Sequence, residues 1–295
     1  MKIVQSLWSK PGTDVEFSEK NKCGWSGKKY NYFSWALSCL QLKKYYSEIE
    51  LVTDQQGEDL LINKLELPYT NTINVLDQIN GYHHGLFALG KIYAYGIQTK
   101  PFIHVDSDVF IWEKFNDRLE KAPLLCQSKE EGEFYNRYYS NVFYSMLKSF
   151  VFFPNAFDSS ITKNNGIQAI NAGIIGGINL EFFANFSKKA FEFIDKNIDH
   201  IKKIDVHQSN MIFEQFLFRA LAEQGEIPIQ YLSVGDTFLT DILDFTGVPS
   251  KRKYIHIYSG HKQVSYFLDC LEYRLQRDYP KYYYRIIHLL KTSQI

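Results

Sequence analysis

At 295 residues the chain is long enough to bury a sizeable core, and 45% apolar with 22% charged residues is the balance of a globular protein, not a disordered one. Its 33 Lys and Arg offset its 33 Asp and Glu, which argues against the basic surface that a dedicated nucleic-acid binder needs to displace counterions. Cys23, Cys39, Cys126 and Cys270 show no Cys-x-x-Cys spacing. That speaks against a zinc knuckle and suits a reducing cytoplasm.

The N-terminal MKIVQSLWSKPG reads as strand Ile3–Leu7, with too short an apolar stretch for a signal peptide. No run approaches the roughly eighteen apolar residues of a membrane span. The expectation is a soluble intracellular protein, attached at most to the inner face of a membrane. A loop rich in Gly, Lys and Ser follows, through Gly24 and Gly27. YFSWALSCLQLKKYY then carries apolar residues at helical spacing, with Lys43 and Lys44 late, where they suit the helix dipole. IELVTD (49–54) is a short buried strand ending in an acid, and GEDLLINKLEL a second helix closed by Pro68. TINVL (72–76) is a third strand, GLFALGKIYAYGIQ (85–98) a third helix and PFIHVD a fourth strand.

Strand and helix therefore alternate through the first 110 or so residues, which implies an α/β fold with a mostly parallel, helix-covered sheet. Such sheets bind ligands at the carboxyl ends of their strands, where Asp54, Asp106 and Asp108 fall. The second half is less regular. Residues 130–153 read as helical and QAINAGIIGG (168–177) as a strand or loop of small residues. Two amphipathic helices follow, NLEFFANFSKKAFEFIDKNIDHIKK and HQSNMIFEQFLFRALAEQG. YIHIYSGHK (254–262) is a late strand and turn, and the tail from Leu271 is helical, interrupted at Pro280. No repeat, low-complexity segment or linker divides the chain, so residues 1–265 are expected as one domain and 266–295 as a helical tail.

FIHVDSDVFI (102–111) carries the chemistry. Two acids one residue apart, Asp106 and Asp108, interrupt an apolar run. Both carboxylates can reach one side of a turn just after the strand, and paired hard oxygens beside a diphosphate are what Mg²⁺ or Mn²⁺ requires. A hydrolase of the haloacid dehalogenase type also places Asp-x-Asp after a strand, but at the first strand and with a small Thr or Val two residues on. Here the pair follows about the fourth strand, and Phe110 stands in that place.

With HVDSD as its centre, the sequence resembles the GT-A-fold glycosyltransferases that use nucleotide sugars, over most of its length. GKIYAYGIQTKPFIHVDSD is similar to the block of capsular and mannosyl-type transferases with a basic residue about fifteen positions before the acids, which makes Lys91 a candidate for the diphosphate. NAGIIGG (171–177) looks like the Asn-small-Gly loop against the donor sugar in glycogenin-like enzymes, which brings in Asn171 and Gly173. HIYSGHK is similar to the late His-x-x-Gly-x-x-Lys-Pro-Trp segment of glycogenin-like and bacterial lipopolysaccharide galactosyltransferases. The resemblance implies His256 as a metal ligand and Lys262 as a diphosphate ligand, although Gly260 comes one place late and Gln263 and Val264 replace Pro-Trp. VHQSNM resembles the Asp-Gln-Asp stretch below the anomeric carbon. Gln208 takes the Gln position, His207 and Ser209 replace the acids, and Glu214 is the substitute carboxylate.

The resemblance implies a hexosyltransferase. Asp106, Asp108 and His256 would hold Mn²⁺ or Mg²⁺ against the diphosphate of a UDP-sugar, with Asp106 also at the ribose. Trp8 would stack on the uracil, Asp54 would lie near base or ribose, and the acceptor would be a glycan or a lipid-linked glycan, as in polysaccharide biosynthesis. The late His–Lys match favours a retaining outcome. A non-catalytic nucleotide-sugar-binding relative and a metal-dependent phosphohydrolase are the alternatives. From Leu271 on, five Lys or Arg against two acids, with Tyr279 and Tyr282–Tyr284 and then Ile286, Ile287, Leu289 and Leu290, suggest peripheral contact with an anionic bilayer.

Overall fold

A computed structural model describes residues 1–10, 22–232 and 242–295. Much of the loop expected after the first strand, 11–21, lies outside the described residues. Among the described residues the chain is α/β, with parallel strands in its first unit and both parallel and antiparallel pairs in its second. It divides into two compact units, the first from the described residues of Met1–Asp77, Val105–Phe115 and Gly235–Ile295, the second from those of Gln78–His104 and Asn116–Val234.

In the first unit, β1 (Lys2–Leu7), β2 (Ile49–Thr53) and β3 (Asn71–Asn74) run parallel in the order β3-β2-β1, with Ile3 opposite Ile49 and Glu50 opposite Asn71. Strand β2 is buried throughout, the pattern of a parallel strand covered on both faces. Helix α1 (Lys28–Tyr45) departs from the one-sided pattern expected of it: every residue from Asn31 to Leu42 is buried. Its apolar residues Phe33, Trp35, Leu37 and Leu40 share one core with Trp112, Ile255 and Leu271. Ser34 Oγ donates to the Ser107 carbonyl at 2.6 Å and Ser38 Oγ accepts from Gln5 Nε2 at 3.0 Å, whereas the buried Tyr32 hydroxyl has no hydrogen-bond partner among the described residues. The second predicted helix is real but irregular, a short α2 (Gln55–Glu58) running into a π-helical turn, Asp59–Lys64.

Two helices close the chain, α10 (Ser265–Asp278) and α11 (Pro280–Lys291), once α3 to α9 of the second unit are counted. Pro280 sits at the start of α11, where its missing N–H costs nothing. Leu271, Leu275, Ile286 and Leu289 are buried in the first unit's core, and Ile287 and Leu290 pack against it. The apolar patch that the sequence offered to a bilayer is therefore taken up by the protein itself. Arg285 Nε donates to the Lys64 carbonyl at 2.6 Å and Lys29 pairs with Glu272 at 2.8 Å, so part of the tail's charge is also spent internally.

In the second unit, β4 (Phe102–Val105, its last residue assigned to the first unit), β6 (Leu124–Glu130), β7 (Ala169–Gly177) and β8 (Ile229–Tyr231) follow the order β4-β7-β6-β8. Strands β6 and β7 pair antiparallel, β6 and β8 parallel. Its helices are α3 (Ala88–Gly96), α4 (Asp117–Glu120), α5 (Glu133–Leu147), α6 (Asn155–Asn164), α7 (Leu180–Asp195), α8 (Val206–Met211) and α9 (Leu217–Gln224), the last two joined by a π-helical turn, Ile212–Phe216. Strand β6 was not anticipated because Gln127, Ser128 and Glu130 interrupt it, yet all three are buried. The small residues of β7 serve strand packing: a Cβ on Gly176 would lie 2.2 Å from the Phe102 carbonyl oxygen, and Gly177, at φ +146, would put one 2.1 Å from that of Pro123.

Candidate active site

The acid pair sits on a turn braced by the first unit. After β4, Gln5 Nε2 donates to the Val105 carbonyl at 3.2 Å, and Val109 N closes the turn onto the Asp106 carbonyl at 3.1 Å. Strand β5 (Val109–Ile111) then pairs antiparallel with β9 (Tyr254–His256), with Val109 opposite His256. Ile257 N donates to the Asp108 carbonyl at 3.0 Å. This two-stranded pairing brings Asp108 and His256 together from distant parts of the sequence, with His256 Nε2 3.4 Å from Asp108 Oδ1.

Lys262 completes the group. It lies on the 3₁₀ turn Ser259–Gln263, and its Nζ stands 2.7 Å from Asp108 Oδ2. The ammonium also donates to the Cys23 carbonyl at 3.3 Å and lies 5.6 Å from the centre of the Trp25 ring. Ser259, three positions after His256 where the resembled pattern has Gly, has φ +51, the left-handed conformation that Gly adopts most easily. Gly260 has open space around it. The turn keeps the backbone shape that Gly would favour while Ser supplies the residue.

Charge is tightly balanced here. Burial alone would push the Asp108 carboxyl up, but the Lys262 ammonium, then the His256 imidazole, hold it well below the usual carboxylate range. Burial opposes the Lys262 charge, and Asp108 more than offsets it, so the lysine pKa is raised. Tyr254 is pushed well up by burial, then by the charges of Asp108 and Asp106.

Trp8 and Asp54 also belong to this unit. Trp8 is buried. Asp54 caps α2, accepting from Gly57 N at 2.8 Å, and ties down Ser9 through its N at 2.6 Å and its Oγ at 2.8 Å. Burial raises its pKa against these bonds. Its carboxylate is thus engaged in holding the end of β1 to the start of α2.

The second unit gathers four of the expected residues, Lys91, Glu214, Asn171 and Gly173. Lys91, on α3, pairs with Glu214 Oε1 at 2.7 Å and donates to the Ala172 carbonyl at 3.3 Å. Glu214, on the π-helical turn, is buried and also accepts from the Tyr95 hydroxyl at 3.4 Å. Asn171 donates through Nδ2 to Glu130 at 2.9 Å and accepts at Oδ1 from the Gly173 N–H at 3.0 Å. Sequence reasoning missed Glu130 and Tyr139. The Tyr139 hydroxyl is shared between Glu130 and Gln215, and burial, then Glu130, push its pKa well up. Only the polar residues inside an otherwise apolar β6 could have signalled them. Gln208 stands apart: it is exposed and donates to Asp205, while Glu214 on the same run of helix is buried, so the two occupy different faces.

Among the described residues, no group of three or more His, Cys, Asp or Glu side chains is arranged to hold a metal ion. Asp108 and His256 supply two donors of the expected three. Their chemistry suits a divalent cation, because Asp108 Oδ1 is a buried oxygen without a well-formed hydrogen bond and an imidazole nitrogen faces it.

Among solved structures, the chain is similar to the galactosyltransferase LgtC in complex with donor and acceptor sugar analogues, at 14% identity over 72% of this chain and 70% of that one, with a TM-score of 0.38. It is also similar to the glycosyltransferase GlyE of Streptococcus pneumoniae TIGR4, at 13% identity over 99% of this chain with a TM-score of 0.43, and spans only 63% of that chain. No curated protein sequence matches. A family profile matches residues 1–289, nearly the whole length, and the chain therefore belongs to the Family of unknown function (DUF6734).

Proposed function

We propose that the protein is a glycosyltransferase that moves a hexose from a nucleotide-sugar donor, with UDP as the nucleotide, to a glycan or lipid-linked acceptor. The observation that carries this reading is the meeting of Asp108, His256 and Lys262, three residues singled out from two separate stretches by their chemistry. In this scheme Asp108 and His256 hold Mn²⁺ or Mg²⁺, with Asp106 beside them. The bound cation supplies charge neutralisation on the departing diphosphate. Lys262, kept protonated by Asp108, gives up part of that ion pair to the diphosphate and stabilises the leaving group electrostatically. Trp8 is buried and so is given no stacking role at the base. Asp54 has no part, because its carboxylate already accepts three hydrogen bonds.

On the sugar side the same reading gives Glu214 the carboxylate role. Lys91 orients it through their ion pair and is no longer a diphosphate ligand. Asn171, fixed by Glu130 and the Gly173 N–H, presents its amide to sugar hydroxyls, and Gln208 is an exposed amide on α8. A retaining outcome belongs to this proposal.

Calorimetry of UDP with Mn²⁺ and in EDTA tests the donor site. Binding that needs the metal, and that Asp108→Asn weakens at least about tenfold, is expected because a neutral amide cannot balance a dication. Equal affinity in EDTA removes the metal from the scheme. UDP release from a panel of UDP-sugars then tests the reaction. UDP binding without any release identifies a binding relative, and release of inorganic phosphate a phosphohydrolase.

A further inference from the structure

The second unit carries an exposed aromatic face that the proposed chemistry does not use. Helix α5 buries Tyr139, Val142, Phe143 and Met146 on one side. On the other, Phe134 is 71% exposed, Tyr138 46% and Tyr144 59%, and beyond the helix end Val151 is 72% exposed. Large apolar groups at this exposure are costly in water unless something covers them. At about 100° per residue, Phe134, Arg137, Tyr138, Tyr144 and Lys148 fall within an arc of about 120°. Arg137 and Lys148 are themselves exposed. Glu133 opens the helix, but no acid occurs from Phe134 to Phe157.

We infer that this face of α5, continued to Val151, is a docking surface for an anionic lipid bilayer. The pattern of charge selects the partner. Phe and Tyr rings suit the boundary between headgroups and acyl chains, and Arg137 and Lys148 beside them reach lipid phosphates, with Glu133, at the edge of the arc, the one acid on the helix. A protein interface would also take Phe, Tyr and Arg but is depleted in Lys, so Lys148 favours the bilayer. From Phe134 to its end at Leu147 the helix extends about 20 Å at about 1.5 Å per residue, which suits a helix lying flat on a surface. No helix among the described residues is long and apolar enough to cross a membrane, so the contact is peripheral.

Sedimentation of the full chain with phosphatidylcholine vesicles, and with vesicles of equal parts phosphatidylcholine and phosphatidylglycerol, tests the inference. The protein is expected to pellet with the anionic vesicles at low salt and to stay in the supernatant with phosphatidylcholine alone, where the charge term is absent. The double variant Phe134→Ser/Val151→Ser, at sites too exposed to carry the fold, is expected to lose vesicle affinity about tenfold or more. Arg137→Gln/Lys148→Gln is expected to lose a similar amount and to flatten the salt dependence. Tyr284→Ser, an equally exposed tyrosine on α11, leaves binding unchanged. Wild-type protein that stays in the supernatant with anionic vesicles, or a Phe134→Ser/Val151→Ser variant that pellets as wild type does, overturns the inference. So does self-association in sedimentation velocity that Phe134→Ser/Val151→Ser abolishes while no vesicle binding is seen; the face would then serve a second copy of the chain.

Discussion

Asp108 and Lys262 hold each other's charge where neither is well solvated. Lys262→Met leaves the Asp108 carboxylate with only the His256 imidazole at 3.4 Å, and breaking a buried ion pair of this kind costs about 3 kcal/mol. The cost depends on pH in a defined way. The Asp108 pKa is depressed in the folded protein, so its share is fully present above the ordinary carboxylate value of about 4 and is lost as pH falls through the depressed value. The Lys262 pKa is raised, so its share is fully present below about 10.4 and is lost as pH rises past the raised value. Urea unfolding of wild type and Lys262→Met should therefore differ by a constant amount from about pH 5 to about pH 10, with the gap closing at both extremes. These residues stand out in the sequence, because an acid pair, a His and a Lys are chemical signals. The ion pair could not, since it depends on β5 meeting β9.

Elements whose apolar residues follow one period were legible, and those whose polar residues are buried were not. Strands β1, β2 and β4 and helices α3 and α7 stand close to where periodicity puts them. Strand β6 hides behind Gln127, Ser128 and Glu130, which the surrounding packing buries against their usual preference. Strand β7 was half legible: its small residues signalled a close approach, but Gly176 approaches the backbone of β4. Gly176→Ala would bring a methyl to 2.2 Å from the Phe102 carbonyl and 2.7 Å from Ile103 Cα, both backbone atoms that cannot rotate aside. Overpacking of this kind costs about 1–3 kcal/mol, and the variant should unfold at correspondingly lower denaturant. A variant as stable as wild type would mean that the two strands can separate without loss.

At the scale of the whole molecule, 33 basic and 33 acidic residues leave no formal net charge at pH 7. Self-repulsion is then weakest near neutrality, so solubility should pass through a minimum there and rise on either side, as light scattering across a pH series would record. A monotonic rise or fall through pH 7 would contradict this. The sequence by itself determined that balance, the α/β class and the residue types at the strand ends, because composition and period are properties of the chain read locally. Tertiary structure alone decided which of those residues meet. It joined Asp108 to His256 and Lys262, tied Asp54 to Ser9, paired Lys91 with Glu214 and turned Gln208 to solvent. It also drew Ile286 and Leu289 of the tail into the core and left Phe134 and Tyr138 outside. Each of these outcomes depends on contacts between distant segments, and an apolar or charged side chain carries no local mark of which neighbour will cover it.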